Sequence, residues 1–219
     1  MTTLSVVTAC WSVEYSQFIP QFWESYHKLN RKPDELILGI TEDDIAGLSK
    51  DIPPEAKVFV LPEGKPSIKW DYLIRQASSK WFSFMTIDDP FLPEAYDEIE
   101  KADELEAEMY LDSIVIKQTG QVSTSHWDAS QLRHGLIATG FVPMTMELYL
   151  KLGMKHEFKF WDWPLQVDAM KAGARVYHAN TKRMIWDNGS TRATYSSPLN
   201  NDYHAEIEKC KAYAISQGF

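Results

Sequence analysis

Four short runs dense in β-branched and aromatic residues dominate the first part of the chain: LSVVTAC (Leu4–Cys10), ELILGI (Glu35–Ile40), KVFVLP (Lys57–Pro62) and KWFSFMTI (Lys80–Ile87). Each is short and bounded by polar or turn-forming residues, so each reads as a strand. Between the first two, Ser16–Leu29 sets Phe18, Phe22, Trp23 and Tyr26 at helical spacing, with Pro20 near its first turn. Between the last two, the turn EGKP (Glu63–Pro66) leads into Ser67–Ser78, a helix with Ile68, Tyr72 and Leu73 on related faces. A β-α-β-β-α-β order restricts the fold class to α/β, with a mostly parallel central sheet flanked by helices. Ligands in such sheets bind outside the carboxyl ends of the strands. Thr8–Trp11, Thr41–Asp44 and the pair Asp88–Asp89 lie at such ends, so three strand ends are expected to converge on one crevice.

The second half is less regular. Pro93–Glu106 reads as an acidic helix, Met109–Lys117 as a strand containing Asp112, and Gln118–Arg133 as a polar loop. Gly135–Pro143 reads as a strand, and Thr145 is placed to cap a helix that runs to Leu152 and stops at Gly153. Asp162–Ala172 is helical with Gly173 as its left-handed stop, and Ala174–Ala179 is a further strand. Tyr203, Ile207, Cys210 and Ala214 make one face of a C-terminal helix. No repeat, low-complexity tract or linker divides the 219 residues, so a single domain is expected.

Charge and composition remove several classes. A formal charge of −9 opposes direct nucleic-acid binding, because phosphate neutralisation needs a basic face. Eight acidic residues within Glu94–Glu108 face only Lys101, as on a solvated helix face. Lys171, Arg175, Lys182, Arg183 and Arg192 form a basic counterpart, either an anion site or scattered surface charge. Cys10 and Cys210 show no CxxC spacing, so neither a disulfide framework nor a zinc cage is indicated. The start MTTLSVVTACW lacks a basic n-region, and no run approaches a transmembrane segment of ~20 apolar residues. A soluble, cytoplasmic protein is expected, in which the Asn188-Gly189-Ser190 sequon carries no meaning.

The familiar catalytic templates are missing: no GxSxG, no HExxH, and no GxGxxG after the first strand. Phe59 stands where a phosphate loop ending at Gly64-Lys65 would need its earlier glycine, and the six histidines are scattered. Carboxylates remain. Asp88 and Asp89 cannot both enter one core, and a dry unpaired charge is costly. A divalent cation resolves that conflict, since hard oxygen ligands at a strand end suit Mg²⁺ or Mn²⁺ bridging substrate phosphates. A solvated Asp-Pro turn is the other reading. Asp162 opens a helix, where the dipole favours a carboxylate that caps the backbone amides. Its neighbours Trp161 and Trp163 would exclude water and raise its pKa toward the range of a general base.

The run IDDPFLP after an apolar strand, preceded by a helix and PEGKP, resembles the family 2 glycosyltransferases of the GT-A fold. Their Asp-x-Asp-Asp signature corresponds to Thr86-Ile87-Asp88-Asp89, with Thr86 in place of the first aspartate and Pro93 at the later proline position. LSVVTACW is similar to the family's first strand, whose end flanks the nucleotide base, and ELILGITEDD to its second, whose acidic residue contacts the base. The family's Arg-Asn pair in the helix before the signature is replaced by Lys69-Trp70-Asp71. FKFWDWPLQVDAMKAGARVYHA resembles the family's Glu-Asp-Trp segment, with Trp161 for the glutamate and Asp162, Trp163, Leu165 and Gly173 retained. The resemblance covers roughly residues 4–195.

It implies one GT-A-like domain, with 1–93 as the nucleotide-binding half and 94–219 as the acceptor and catalytic half. The implied activity is inverting, metal-dependent transfer of a sugar from a nucleotide-sugar donor to an acceptor hydroxyl on a glycan, protein or small molecule. Thr8, Ala9, Trp11, Thr41, Asp43, Lys69 and Asp88 would contact the donor. Asp88, Asp89 and Asp187 would hold Mn²⁺ or Mg²⁺, and Asp162 would be the base. Trp127 and Trp163 are candidates for stacking on a sugar. Two alternatives stay open. A nucleotidyltransferase would carry a Gly- and Lys/Arg-rich loop where this chain has Thr8-Ala9-Cys10-Trp11-Ser12. A catalytically inactive binding module would show changes such as those at Thr86 and Trp161.

Overall fold

The computed structural model describes residues 1–10, 13–41, 52–135, 142–186 and 202–219. Its sheet is built around β1 (Leu4–Cys10), buried along its whole length. On one side β2 (Glu35–Ile40) pairs in parallel, from Ser5 opposite Glu35 to Cys10 opposite Ile40. On the other, β4 (Trp81–Phe84) pairs in parallel, from Leu4 opposite Trp81 to Val7 opposite Phe84. β3 (Ala56–Val60) continues the parallel array beyond β2 and forms an edge on which Val58 and Val60 are exposed. Beyond β4 the pairing turns antiparallel through the short β7 (Met144–Thr145) to β5 (Met109–Ile116). β5 also takes β6 (Val122–Thr124) antiparallel and β8 (Val176–Trp186) in parallel. The sheet is mixed, with parallel pairing predominating in its first half.

The alternation of side chains along β1 feeds two layers. Leu4, Val6 and Cys10 pack with Phe22, Trp23 and Tyr26 of α2 (Ile19–His27), which follows the short α1 (Val13–Ser16). Val7 and Ala9 pack on the other face with Trp70, Leu73 and Ile74 of α3 (Pro66–Ile74). Burying each such side chain is worth roughly 1.5–3 kcal/mol. Gly39 in β2 permits the second layer: a Cβ there would lie 2.5 Å from side-chain carbons of both Leu61 and Leu73. α4 (Ile99–Glu104) buries Ile99 and Ala102, and α5 (Met146–Leu152) buries Leu148 and Tyr149. α6 (Asp162–Lys171) and α7 (Tyr203–Ser216) meet through Trp163, Val167, Cys210 and Ala214, joined by Phe158 and Leu132.

Several expectations hold in detail. Thr145 caps α5, its Oγ1 accepting from the Leu148 amide at 3.3 Å, and Gly153 follows with φ 70°. α6 ends before Gly173, whose φ is 71°. Others change. The acidic helix is confined to Ile99–Glu104, because the preceding residues form turns that drive Ala95 and Tyr96 into the core. The polar loop Gln118–Arg133 contains β6 and a 3₁₀ turn at Ala129–Gln131. The last strand runs on to Trp186, with register shifts between Leu111, Ser113 and Ile114 of β5 that absorb its irregular pattern. Of the strand expected over Gly135–Pro143, residues 136–141 lie outside the described residues, as does the sequon.

Candidate active site at the carboxyl edge of the sheet

Because β1, β2 and β4 are adjacent and parallel, their carboxyl ends fall on one edge. Thr8 is fully buried in β1, and its hydroxyl has no hydrogen-bond partner among the described residues. Ala9 is buried against the layer that contains Trp70 and Phe84. Thr41, the residue after β2, is half-buried. Trp11 and Asp43 lie outside the described residues.

The end of β4 is held more firmly than its short length suggests. The Met85 amide donates to the Val7 carbonyl at 2.9 Å, keeping the chain on β1 for one further residue. Thr86–Asp89 then forms a tight turn, closed by the Asp89 amide donating to the Thr86 carbonyl at 3.2 Å. The Thr86 hydroxyl donates to Asp89 Oδ2. Asp89 is buried and Asp88 half-buried. Beyond the pair, the Pro90 carbonyl accepts from Ile185 at 3.0 Å, the Phe91 amide donates to Ser25 Oγ at 3.0 Å, and the Leu92 amide donates to the Arg183 carbonyl at 2.8 Å. Thus α2 and β8 together clamp the segment that follows the aspartates.

Arg183 is itself fully buried, its Nε 3.3 Å from Oδ2 of the equally buried Asp112. This corrects the basic cluster read in residues 171–192. Arg183 belongs to the interior, Lys171, Arg175 and Lys182 are exposed on α6 and around β8, and Arg192 lies outside the described residues.

Asp162 opens α6, and Trp161, the residue before it, stacks on Phe84 of β4 with ring centroids 5.3 Å apart and planes 21° from parallel. Phe84 also packs against Trp70 of α3, at 3.7 Å. The aromatic contact therefore ties the start of α6 to the strand that carries Asp88 and Asp89. Asp162 borders a cavity of about 30 Å³ lined by apolar side chains including Phe82, Met109, Val142 and Leu165. Burial pushes its carboxyl up to about 6, while its own amide and that of Trp163 hold it down. Trp161 lines the same cavity as Asp162, whereas Trp163 is buried in the cluster between α6 and α7. Trp163 is not available to a sugar: its Nε1 donates to the Leu132 carbonyl at 2.8 Å within the α6–α7 core. Trp127 is half-buried between two core clusters.

Lys69 is half-buried in α3. Nearby, Asp71 accepts from Tyr149 Oη at 2.6 Å and Arg75 Nε at 2.9 Å, with His156 Nε2 3.5 Å from its second oxygen. Tyr149 is pushed far above the ordinary phenol range, first by burial and then by Asp71. Sequence reasoning did not single out Ser67 or His156, yet both line one cavity beside α3. Pro66-Ser67 marks a helix start, but no local pattern couples it to His156.

For a divalent cation the donor chemistry fits: Mg²⁺ or Mn²⁺ is commonly held by one or two carboxylates, with substrate phosphates and water completing the shell. Asp88 and Asp89 supply such oxygens from one turn. Among the described residues no group of three His, Cys, Asp or Glu side chains forms a metal site, and Asp187 lies outside them. No helix among the described residues is long and apolar enough to cross a membrane.

No family model matches the sequence, and no curated protein matches it. Among solved structures, the fold is similar to that of Staphylococcus aureus TarS. Against one TarS crystal structure the TM-score is 0.68 at 14% identity, covering 98% of this chain and 40% of that one. Against TarS 1–349 in complex with UDP-GlcNAc it is 0.71 at 15% identity, covering 98% of this chain and 66% of that one. The complex of TarS 1–349 with UDP gives 0.67 at 15% identity, with coverages of 98% and 65%. At these identities the likeness is one of fold, and the chain spans less than half of the longest TarS chain compared.

Proposed function

We propose that this chain is an inverting, metal-dependent glycosyltransferase of the GT-A type, which moves a sugar from a nucleotide-sugar donor to an acceptor hydroxyl. The observation that carries the reading is the Trp161–Phe84 stack. It joins a desolvated carboxylate at a helix start to the strand whose end presents two adjacent aspartates. The fold it shares with TarS, a glycosyltransferase crystallised with UDP and UDP-GlcNAc, supports the same reading.

In this reading the donor lies across the ends of β1, β2 and β4. The backbone around Thr8 and Ala9, with Trp11, Thr41 and Asp43, flanks the nucleotide, and Lys69 faces its phosphates. Asp88 and Asp89 hold the cation, with Asp187 as the further ligand and Asp88 also near the ribose. A bound Mn²⁺ or Mg²⁺ supplies positive charge for the diphosphate leaving group. Thr86 orients Asp89 by donating to one carboxylate oxygen. Asp162 takes the proton of the acceptor hydroxyl as that oxygen attacks the face of the sugar opposite the leaving group. A carboxyl near 6 is mostly ionised at pH 7 yet more basic than an ordinary aspartate, as a general base requires.

The test is calorimetry with a panel of nucleotide sugars, with and without Mn²⁺, followed by donor-hydrolysis and transfer assays. Metal-dependent binding with turnover supports the proposal. Binding without turnover in the presence of acceptor extracts would make the chain a binding module, and condensation of a sugar phosphate with a nucleoside triphosphate would make it a nucleotidyltransferase.

A further inference from the structure

Ser25 sits near the end of α2, buried, with its hydroxyl engaged twice. It donates to the Phe22 carbonyl one turn back at 2.7 Å and accepts from the Phe91 amide at 3.0 Å. The first bond is the local back-bonding a helical serine commonly makes. The second reaches 66 residues along the chain. The surrounding layer is aromatic: the Phe91 ring packs on Phe22 at 5.2 Å and on Tyr96 at 5.8 Å, measured between centroids. A methyl group would fill Ser25's place in such a layer, but it would leave the buried Phe91 amide without its acceptor.

The position of that amide gives the bond its consequence. Phe91 stands two residues after Asp89. On the entry side of the aspartates, the Met85 amide donates to the Val7 carbonyl at 2.9 Å. On the exit side, Pro90 and Leu92 are held by Ile185 and Arg183 of β8, and Phe91 by Ser25. Of these three exit bonds, two run between backbones and one uses a side chain. The carboxylates thus lie on a short stretch pinned at both ends, and Ser25 is the anchor that a substitution can remove without touching that stretch.

We infer that Ser25 is a positioning residue for the cation, acting through the Phe91 amide to keep Asp88 and Asp89 in one arrangement on the carboxyl edge of the sheet. The role rests on the reading of that pair as cation ligands; the Ser25 hydrogen bond does not. A turn held at both ends also favours one kind of ion. Mg²⁺ demands a near-ideal octahedral shell, whereas Ca²⁺ accepts an irregular one, so loosening the turn should penalise Mg²⁺ more.

The experiment titrates the whole metal-free chain with Mn²⁺ alone, followed through paramagnetic broadening of backbone amide resonances. Broadening should centre on Asp88 and Asp89, with Mg²⁺ displacing Mn²⁺ better than Ca²⁺ does. Ser25→Ala should weaken Mn²⁺ binding about tenfold and erase the preference for Mg²⁺ over Ca²⁺. Ser25→Thr, which keeps the hydroxyl, should restore both. Should Ser25→Ala fold poorly, Ser25→Cys, whose thiol is a weak acceptor, takes its place. Trp81→Phe serves as the control for stability alone, since it removes the hydrogen bond from Trp81 Nε1 to Asp103 at the start of β4. It should lower the unfolding midpoint and leave Mn²⁺ affinity unchanged. Equal affinity in wild type and Ser25→Ala, or an equal loss in Trp81→Phe, overturns the positioning role and leaves the cation reading standing. Broadening in the wild type that is absent, or scattered over exposed carboxylates, overturns the cation reading and the role of Ser25 with it.

Discussion

The Thr86 hydroxyl donates to Oδ2 of Asp89 across the turn that ends β4. A residue that departs from the expected carboxylate signature thus acts as the orienting partner of Asp89, one of the two carboxylates that remain. Thr86→Val keeps the shape and removes the donor. It should weaken Mn²⁺-dependent nucleotide binding about tenfold in calorimetry, the worth of one hydrogen bond to a charged group. Thr86→Ser should restore it. Equal affinity in wild type and Thr86→Val would show that the hydroxyl only closes the turn.

Asp162→Asn should leave nucleotide-sugar binding intact and reduce transfer by roughly 10²–10⁴-fold. The same change should raise stability at pH 7. Burial raises the folded carboxyl to about 6, above its unfolded value, so the folded state prefers the protonated form. Stability from this group is present below the unfolded pKa and is lost as pH rises through about 6. A neutral amide escapes that loss, and thermal melts should show a gain of about 3 kcal/mol at pH 7 that falls below about 1 kcal/mol near pH 4.

The pH profile of kcat/KM should carry an acidic limb with a midpoint near 6, falling as Asp162 is protonated. A limb that stays in place in a slow Asp162→Asn variant would assign it to another group.

Trp161→Ala removes the ring that stacks on Phe84 and should cost about 3–5 kcal/mol in denaturant unfolding. Trp161→Phe should recover most of that loss. If the stack also positions the base, Trp161→Phe will lower kcat with KM for the donor unchanged.

Breaking the Arg183–Asp112 pair should be costly because both side chains are fully buried. Asp112→Asn removes the carboxylate charge beside the buried guanidinium and should cost about 3–5 kcal/mol, read from the urea midpoint.

The parts of this molecule legible in its sequence are those set by local rules. β1 and β2 follow from short apolar runs, and the Thr145 cap and the Gly153 and Gly173 stops from backbone chemistry. What escaped depends on partners distant in sequence. The acidic run after Pro93 has helical composition throughout, but residues 93–98 form turns, following Leu92, whose amide is anchored to the Arg183 carbonyl. β6 is polar because it is a short strand paired with β5, and nothing in VST distinguishes that from a loop. Trp163 has the right neighbours for a binding residue and is instead consumed by packing on α7. The Ser67–His156 cavity joins two segments that no periodicity relates.

The three anchors beyond Asp89 also bear on how the protein acquires its shape. Ser25 belongs to α2, but Arg183 and Ile185 enter with the last strand, far along the chain. Contacts so remote close slowly, since loop entropy must be overcome before they form. The aspartate turn should therefore be ordered late in folding, with mutations at Phe91 or Met184 speeding unfolding more than they slow folding. A fragment ending at Pro93 would hold every strand end of the crevice and still lack the clasp that fixes its charges. A cut at Pro93 would thus separate the aspartate turn from the strand that holds it in place.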